Sequence, residues 1–234
     1  MSLPELRKSV GDYTNKEKGI FLQRFFKTGP GEYAEGDIFA GLTVPQSRKI
    51  VNANSGLSLM ELQALIKSKI HEERLIALLI LVKQYSKADE KERNKIFRFY
   101  LKNIKQVNNW DLVDLSAPKI IGRHLIDMDK EVLHDLAESR NLWKRRIAIL
   151  ATQYFIQNGF IDETFRIADK LLYDKEDLIH KAVGWMLREV GKKNIKAEKG
   201  FLKPRYNKMP RTMLRYAIEK FPEVERKKYL FGLV

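Results

Sequence analysis

Apolar residues recur along almost the whole chain at the three-and-four spacing of a helix, and no run alternates convincingly as a half-buried strand does. The pattern predicts an all-α fold. A short helix is expected over 3–10, then one over 16–27 with Ile20, Phe21, Phe25 and Leu22 facing inward. A glycine-rich loop follows over 28–41. Its Gly29-Pro30-Gly31 has the look of a phosphate loop, but it follows a helix and no Gly-Lys-Ser/Thr accompanies it. Thr43 reads as an N-cap with Pro45 in the first turn, for a helix to about 53. Ser58 and Glu61 make a capping box opening a helix to about 68. The stretch 71–85 is apolar on most sides and should be buried. Further helices are expected over 89–102, from about 109, over 129–139 and 142–157, stopped by Asn158-Gly159, and over 162–173 and 177–192. The last are 211–220 and 222–230, after a basic stretch with room for one more. Pro118 falls inside the helix that starts near 109, so a kink is expected there.

The helices come in pairs, and the pairs repeat. The runs that begin at Arg74, Arg146 and Lys181 align, with leading residues 72 and then 35 apart; half the first interval lands on Trp110. A period near 35–36 with two helices per unit predicts an α-solenoid of HEAT type, as one domain over 1–234 with a concave basic face. In that register Arg74, Trp110, Arg146 and Lys181 form one row, and Asp114 and Trp185 share the next. Basic residues, two tryptophans and a carboxylate would then gather on one inner surface.

Charge sharpens this picture. The net charge is +14, and 188–228 holds fourteen Lys/Arg against five Glu and no Asp. A polyanion partner follows, nucleic acid first and an anionic membrane second. There is no cysteine, which excludes disulfides, thiolate nucleophiles and Cys-ligated metal, and suits a reducing, cytoplasmic setting. The longest apolar run, 75–82, is far short of the ~20 residues of a membrane span. The start, Met1-Ser2-Leu3-Pro4, carries no apolar signal region. The four histidines make no His-x-x-x-His pair, no Gly-x-Ser-x-Gly occurs, and His124 reads as a core histidine, so a metal or serine hydrolase is disfavoured.

The most informative stretch is Asn109-Trp110-Asp111-Leu112-Val113-Asp114, with Pro118 after it. A helix puts Trp110 and Asp114 on one face, one turn apart. Trp110 also continues the stripe of Val113, Ala117 and Ile121, so core packing is an equal reading; Trp185 beside Val183 and Met186 has the same alternative. Asp111, nearer the helix start, is assigned the capping role, which leaves Asp114 for chemistry. Arg146 follows Lys144 and Arg145, and such a run can be only a solvated face.

Together with Gly41-Leu42-Thr43-Val44-Pro45-x-x-Arg48, Leu142-Trp143-Lys144-Arg145-Arg146-Ile147-Ala148 and Lys181-Ala182-Val183-Gly184-Trp185-Met186-Leu187-Arg188-Glu189, that stretch resembles the AlkD-type DNA alkylation repair glycosylases, which are built from HEAT-like repeats. The resemblance implies excision of cationic alkylated purines, N3-methyladenine and N7-methylguanine, from duplex DNA. It makes Asp114 the catalytic aspartate, Trp110 and Trp185 the site tryptophans and Arg146 the site arginine. Lys144, Arg145, Lys181 and Thr43 join Arg146 as DNA-binding candidates. Asn109 and Thr43 depart from relatives, in which an aromatic and a longer polar side chain can stand at these places. The expectation is a monofunctional, monomeric DNA glycosylase without metal or cofactor. Its rivals are a non-catalytic HEAT-like DNA-binding protein and a scaffold for an acidic protein partner.

Overall fold

A computed structural model describes residues 2–234. It is all-α: among the described residues there is no strand, only an isolated bridge between Ile38 and Ile70. No helix among them is long and apolar enough to cross a membrane. The chain forms two compact units, 1–116 and 117–234.

The first unit holds α1 (Leu3–Asp12), α2 (Lys16–Phe25), α3 (Val44–Ala53), α4 (Leu59–Ile66), α5 (His71–Lys87), α6 (Glu90–Lys102) and α7 (Trp110–Ala117). Local chemistry sets several starts. Thr43 caps α3 reciprocally with Gln46, and Ser58 caps α4 with Glu61, each side chain satisfying the other residue's N–H. The centre is α5, buried continuously from His71 to Leu81, against which α3, α4 and α6 pack. The buried Glu72 carboxylate accepts the N–H groups of Ala40, Gly41 and Leu42 at 2.9, 2.8 and 3.1 Å. It thereby fixes the loop that feeds Thr43.

The orientation of α2 differs from the sequence-based expectation. Ile20, Phe21 and Phe25 are exposed, at 45%, 64% and 55%, while Gly19 and Phe26 face inward. The cause is a close backbone approach. A Cβ on Gly19 would lie 2.6 Å from the Phe39 carbonyl oxygen, so only glycine lets α2 seat there, and that contact turns the apolar ridge outward.

The second unit opens on a π-helical turn, Pro118–Gly122, and continues with α8 (Arg123–Leu125), α9 (Glu131–Ala137), α10 (Leu142–Gln157), α11 (Asp162–Lys170), α12 (Asp177–Lys193), α13 (Ile195–Leu202), α14 (Arg211–Ala217) and α15 (Glu223–Phe231). The kink expected at Pro118 takes the form of that π turn. Proline cannot donate to the preceding turn, and the chain widens to an i→i+5 bond from Arg123 N–H to the Pro118 carbonyl. His124, just past that turn, is half-buried rather than the core histidine expected. The long helices α10 and α12 pack on each other, α10 also on the π turn and α9, and α12 on α14. Gly122 and Gly184 make close approach possible, since a Cβ on either would overlap backbone of α10 or α14. The basic stretch before α14 carries one more helix, α13, for which its composition left room.

Glu198 of α13 is buried in the space that Gly191 leaves on α12, and its Oε1 has no hydrogen-bond partner. Burial pushes its carboxyl up to about 8, against the opposing pull of Lys199 and Arg188. The folded protein therefore keeps a proton that the unfolded chain releases near 4.5, and stability falls as pH rises from there through about 8. Glu198→Gln is expected to raise the melting temperature at pH 7–9 by the equivalent of about 1–4 kcal/mol, at roughly 1.4 kcal/mol per pH unit, with the gain vanishing toward pH 4. Thermal melts across that range check it.

Candidate functional site

The start of α7 is held from beneath. Asn109 is fully buried; its carbonyl accepts the Val113 N–H at 3.1 Å and its side-chain oxygen the Trp110 N–H at 2.8 Å. Asp111 turns inward. One carboxylate oxygen accepts the Leu112 N–H, and the other lies 2.8 Å from His71 Nε2. Its role is therefore larger than the cap assigned from sequence, because it ties α7 to the first residue of α5.

His71 is 1% exposed and lies between two carboxylates, with Nδ1 3.3 Å from Asp37. Asp37 also accepts from Arg74 at 2.6 Å and from the Asn108 amide at 3.3 Å. Burial alone would lower the His71 pKa, but the charge and hydrogen bond of Asp111, with the hydrogen bond to Asp37, raise it above the usual histidine value. Burial likewise opposes ionisation of Asp37, yet the His71 hydrogen bond and the Arg74 charge hold its carboxyl below the ordinary range. Both ring nitrogens lie against carboxylates, an arrangement that favours the protonated imidazole, with a guanidinium closing one end. Arg74 is accordingly not part of an exposed basic row, as the repeat alignment implied. It is buried, donating to Asp37 and to the Ser68 carbonyl at 2.8 Å.

Above this network sits a run of stacked rings. Phe39 lies on His71 at 4.4 Å and 20°, Phe26 on Phe39 at 4.8 Å and 22°, and Trp110 on Phe26 at 4.9 Å and 11°. Phe25 meets Trp110 edge-on at 6.1 Å. Trp110 is half-buried: one side joins this core and part of the indole remains accessible. Asp114, one turn on, is also half-buried. Its charge reaches Tyr100, whose phenol burial already pushes up and which shares a 2.9 Å hydrogen bond with Ser116. Thr43 is engaged as the cap of α3.

In the second unit Arg146 is buried and donates to the Leu178 carbonyl at 2.6 Å, joining α10 to the first turn of α12. Arg145 forms a two-pronged pair with Asp174 at 2.6 and 3.2 Å and also donates to the Ser139 and Arg140 carbonyls. Lys181 pairs with Asp177 at 2.7 Å. Lys144 is half-buried in the first turn of α10, whose cap is Asn141. Trp185 is half-buried, with its indole N–H donating to Glu189 at 3.0 Å. The helix positions of Arg74, Arg146 and Lys181 correspond within a residue, whereas Trp110 is the first residue of its helix.

A sequence-family model described as DNA alkylation repair enzyme matches residues 6–221. The chain belongs to that family. Among solved structures, one described as a predicted DNA alkylation repair enzyme from Enterococcus faecalis superposes with a TM-score of 0.69 at 17% identity, over 90% of this chain and 97% of that one. At that identity the likeness establishes the fold, an all-α architecture consistent with a helical-repeat solenoid. No curated protein matches the chain in sequence. As a member of a DNA alkylation repair family, the protein is a DNA repair enzyme by kinship, and DNA is its substrate class. Among its described residues no group of three or more His, Asp or Glu is placed to hold a metal ion.

Sequence reasoning missed His71 and Asp37. His71 opens an apolar helix and Asp37 sits in a glycine-rich loop; nothing in their spacing couples them to Asp111. The raised His71 value has a measurable sign. Its share of stability is fully present below the usual histidine value of ~6.5 and is lost as pH rises through the higher folded value. The imidazole is expected to titrate above 6.5 by NMR, and His71→Gln to flatten the loss of stability above neutral pH while lowering stability at pH 6.

Proposed function

We propose that the protein is a monofunctional DNA glycosylase that hydrolyses the N-glycosidic bond of cationic alkylated purines, N3-methyladenine and N7-methylguanine, in duplex DNA. The observation that carries the reading is the pair on α7: a half-buried indole backed by a ring stack, and a half-buried carboxylate one turn away. An N-alkylated purine already bears positive charge. When its bond to C1′ breaks, the electron pair passes to the ring and neutralises it, so no general acid or Lewis acid is required. The demand falls on the sugar, which acquires oxocarbenium character. Asp114 meets that demand as a fixed anion beside the developing cation, and positions the water that adds to C1′ and gives up a proton.

Trp110 is assigned to the deoxyribose face. An indole attracts a cation by ~0.5–2 kcal/mol, and that attraction grows as the sugar becomes charged. Trp185 is assigned the same kind of contact and Arg146 a backbone phosphate, where it fixes the strand without reading sequence. Lys144, Lys181 and, at its edge, Arg145 add to the phosphate-facing charge, and Thr43 lies on the loop-to-helix junction nearest in sequence to the Glu72-held segment. A formal charge of +14 supports affinity that is independent of sequence and falls steeply with salt.

The test is release of N7-methylguanine from methylated duplex under single-turnover conditions. Asp114→Asn is expected to lower the rate by about 10²–10³-fold, the usual effect of deleting one preorganised electrostatic group, with duplex affinity unchanged or improved. Binding without release by the intact protein would favour the non-catalytic DNA-binding reading, and trapping of a DNA adduct by borohydride would refute the monofunctional mechanism.

A further inference from the structure

The outer face of α2 has no task in that mechanism. Phe21 and Phe25 lie one turn apart with rings stacked at 6.4 Å and 14°, both more than half exposed, and Ile20 beside them is exposed as well. A solvent-facing helix does not ordinarily place two phenyl rings outward. The orientation goes with a close approach of Gly19 to the Phe39 backbone that a side chain at Gly19 would block. The ridge runs into the candidate site, since Phe25 touches Trp110 edge-on.

Cations flank the ridge. By helical spacing Arg24 lies on one side of Phe21 and Phe25 and Lys18 on the other, with the carboxylate of Glu17 one turn before Phe21. Lys27, past the Phe26 cap, adopts φ 53, a backbone conformation where glycine is the easier choice. Stacked, exposed aromatic rings bordered by positive charge are what a strand with an unstacked base requires. Every base has a π-face for the rings, and its flanking phosphates need cations.

We propose that the Phe21–Phe25 face of α2 is a stacking platform for an unpaired DNA base, with the adjoining phosphates held by Arg24 and Lys18. The proposal rests on DNA being the substrate, and not on base excision. A second copy of the chain is a poorer occupant: a two-fold contact through this face would bring the flanking cations, Arg24 and Lys18, close to their own images. The platform needs no enclosed cavity, because the base lies on a surface that solvent reaches.

The experiment compares binding of the full-length protein to two duplexes by fluorescence anisotropy, one fully paired and one with a single unpaired adenine. The intact protein is expected to bind the bulged duplex about tenfold more tightly, in keeping with the usual worth of one base–aromatic stack. Phe21→Ala is expected to remove most of that preference, leave affinity for the paired duplex within about twofold, and leave the thermal melt unchanged because the side chain is exposed. Phe21→Trp is expected to retain the preference. Equal binding of both duplexes by the intact protein, or equal weakening of both by Phe21→Ala, overturns the platform while leaving the DNA reading intact. Failure to bind either duplex overturns both. A dimer that Phe21→Ala dissociates, or anionic vesicles that the intact protein binds in preference to DNA, reassigns the face and also overturns the proposal.

Discussion

A buried histidine between two buried carboxylates is the constraint on which the first unit depends. Removing four charged groups from water is costly unless each finds a partner of opposite sign. Here Arg74, Asp37, His71 and Asp111 alternate in sign, and each contact is within hydrogen-bond reach. The chain of charges joins three segments far apart in sequence: the loop before α3, the start of α5 and the start of α7. Deleting one member would strand the next as an unpaired buried charge, so the four behave as a unit. The outcome for function is positional. Trp110 and Asp114 emerge from a helix whose first turn is fixed from below by Asp111 and from the side by Phe26.

The stacked rings extend this logic from charge to shape. His71, Phe39, Phe26 and Trp110 follow one another at ring separations of 4.4 to 4.9 Å, so the aromatic rings that cover the buried imidazole at one end of the series also position the indole at the other. On the proposed reading, such rigidity favours stabilisation of a transient cation, because dipoles and π-faces need not reorganise as charge develops. Trp110 and Asp114 are both half-buried, with protein around them that strengthens electrostatics and part of each side chain still accessible.

How much of this was legible in the sequence depended on range. The caps at Thr43 and Ser58 are written in four consecutive residues and could be read directly. So could the all-α class, the buried α5 and the stop at Asn158-Gly159, because helical periodicity and turn chemistry are local. The face of α2 was not legible. Its pattern points Ile20, Phe21 and Phe25 inward, and what reverses it is a contact between Gly19 and a carbonyl twenty residues on. Arg74 was placed in a row by the repeat, but burial and Asp37 decide its surroundings. The Trp110–Asp114 pair was visible as a spacing, whereas the support beneath it, from Asp37 and His71, exists only once the loop and two helices meet.

The Glu72 carboxylate gathers three successive backbone N–H groups of the glycine-rich loop. Successive amides of that kind form a natural nest for a phosphate or other free anion. In this protein the nest is filled by a ligand covalently attached to the neighbouring helix, whose effective concentration no soluble ion matches. These three amides are therefore closed to a free anion, and in Gly29-Pro30-Gly31 the Gly29 and Gly31 N–H groups are likewise taken by Glu32 and Glu35.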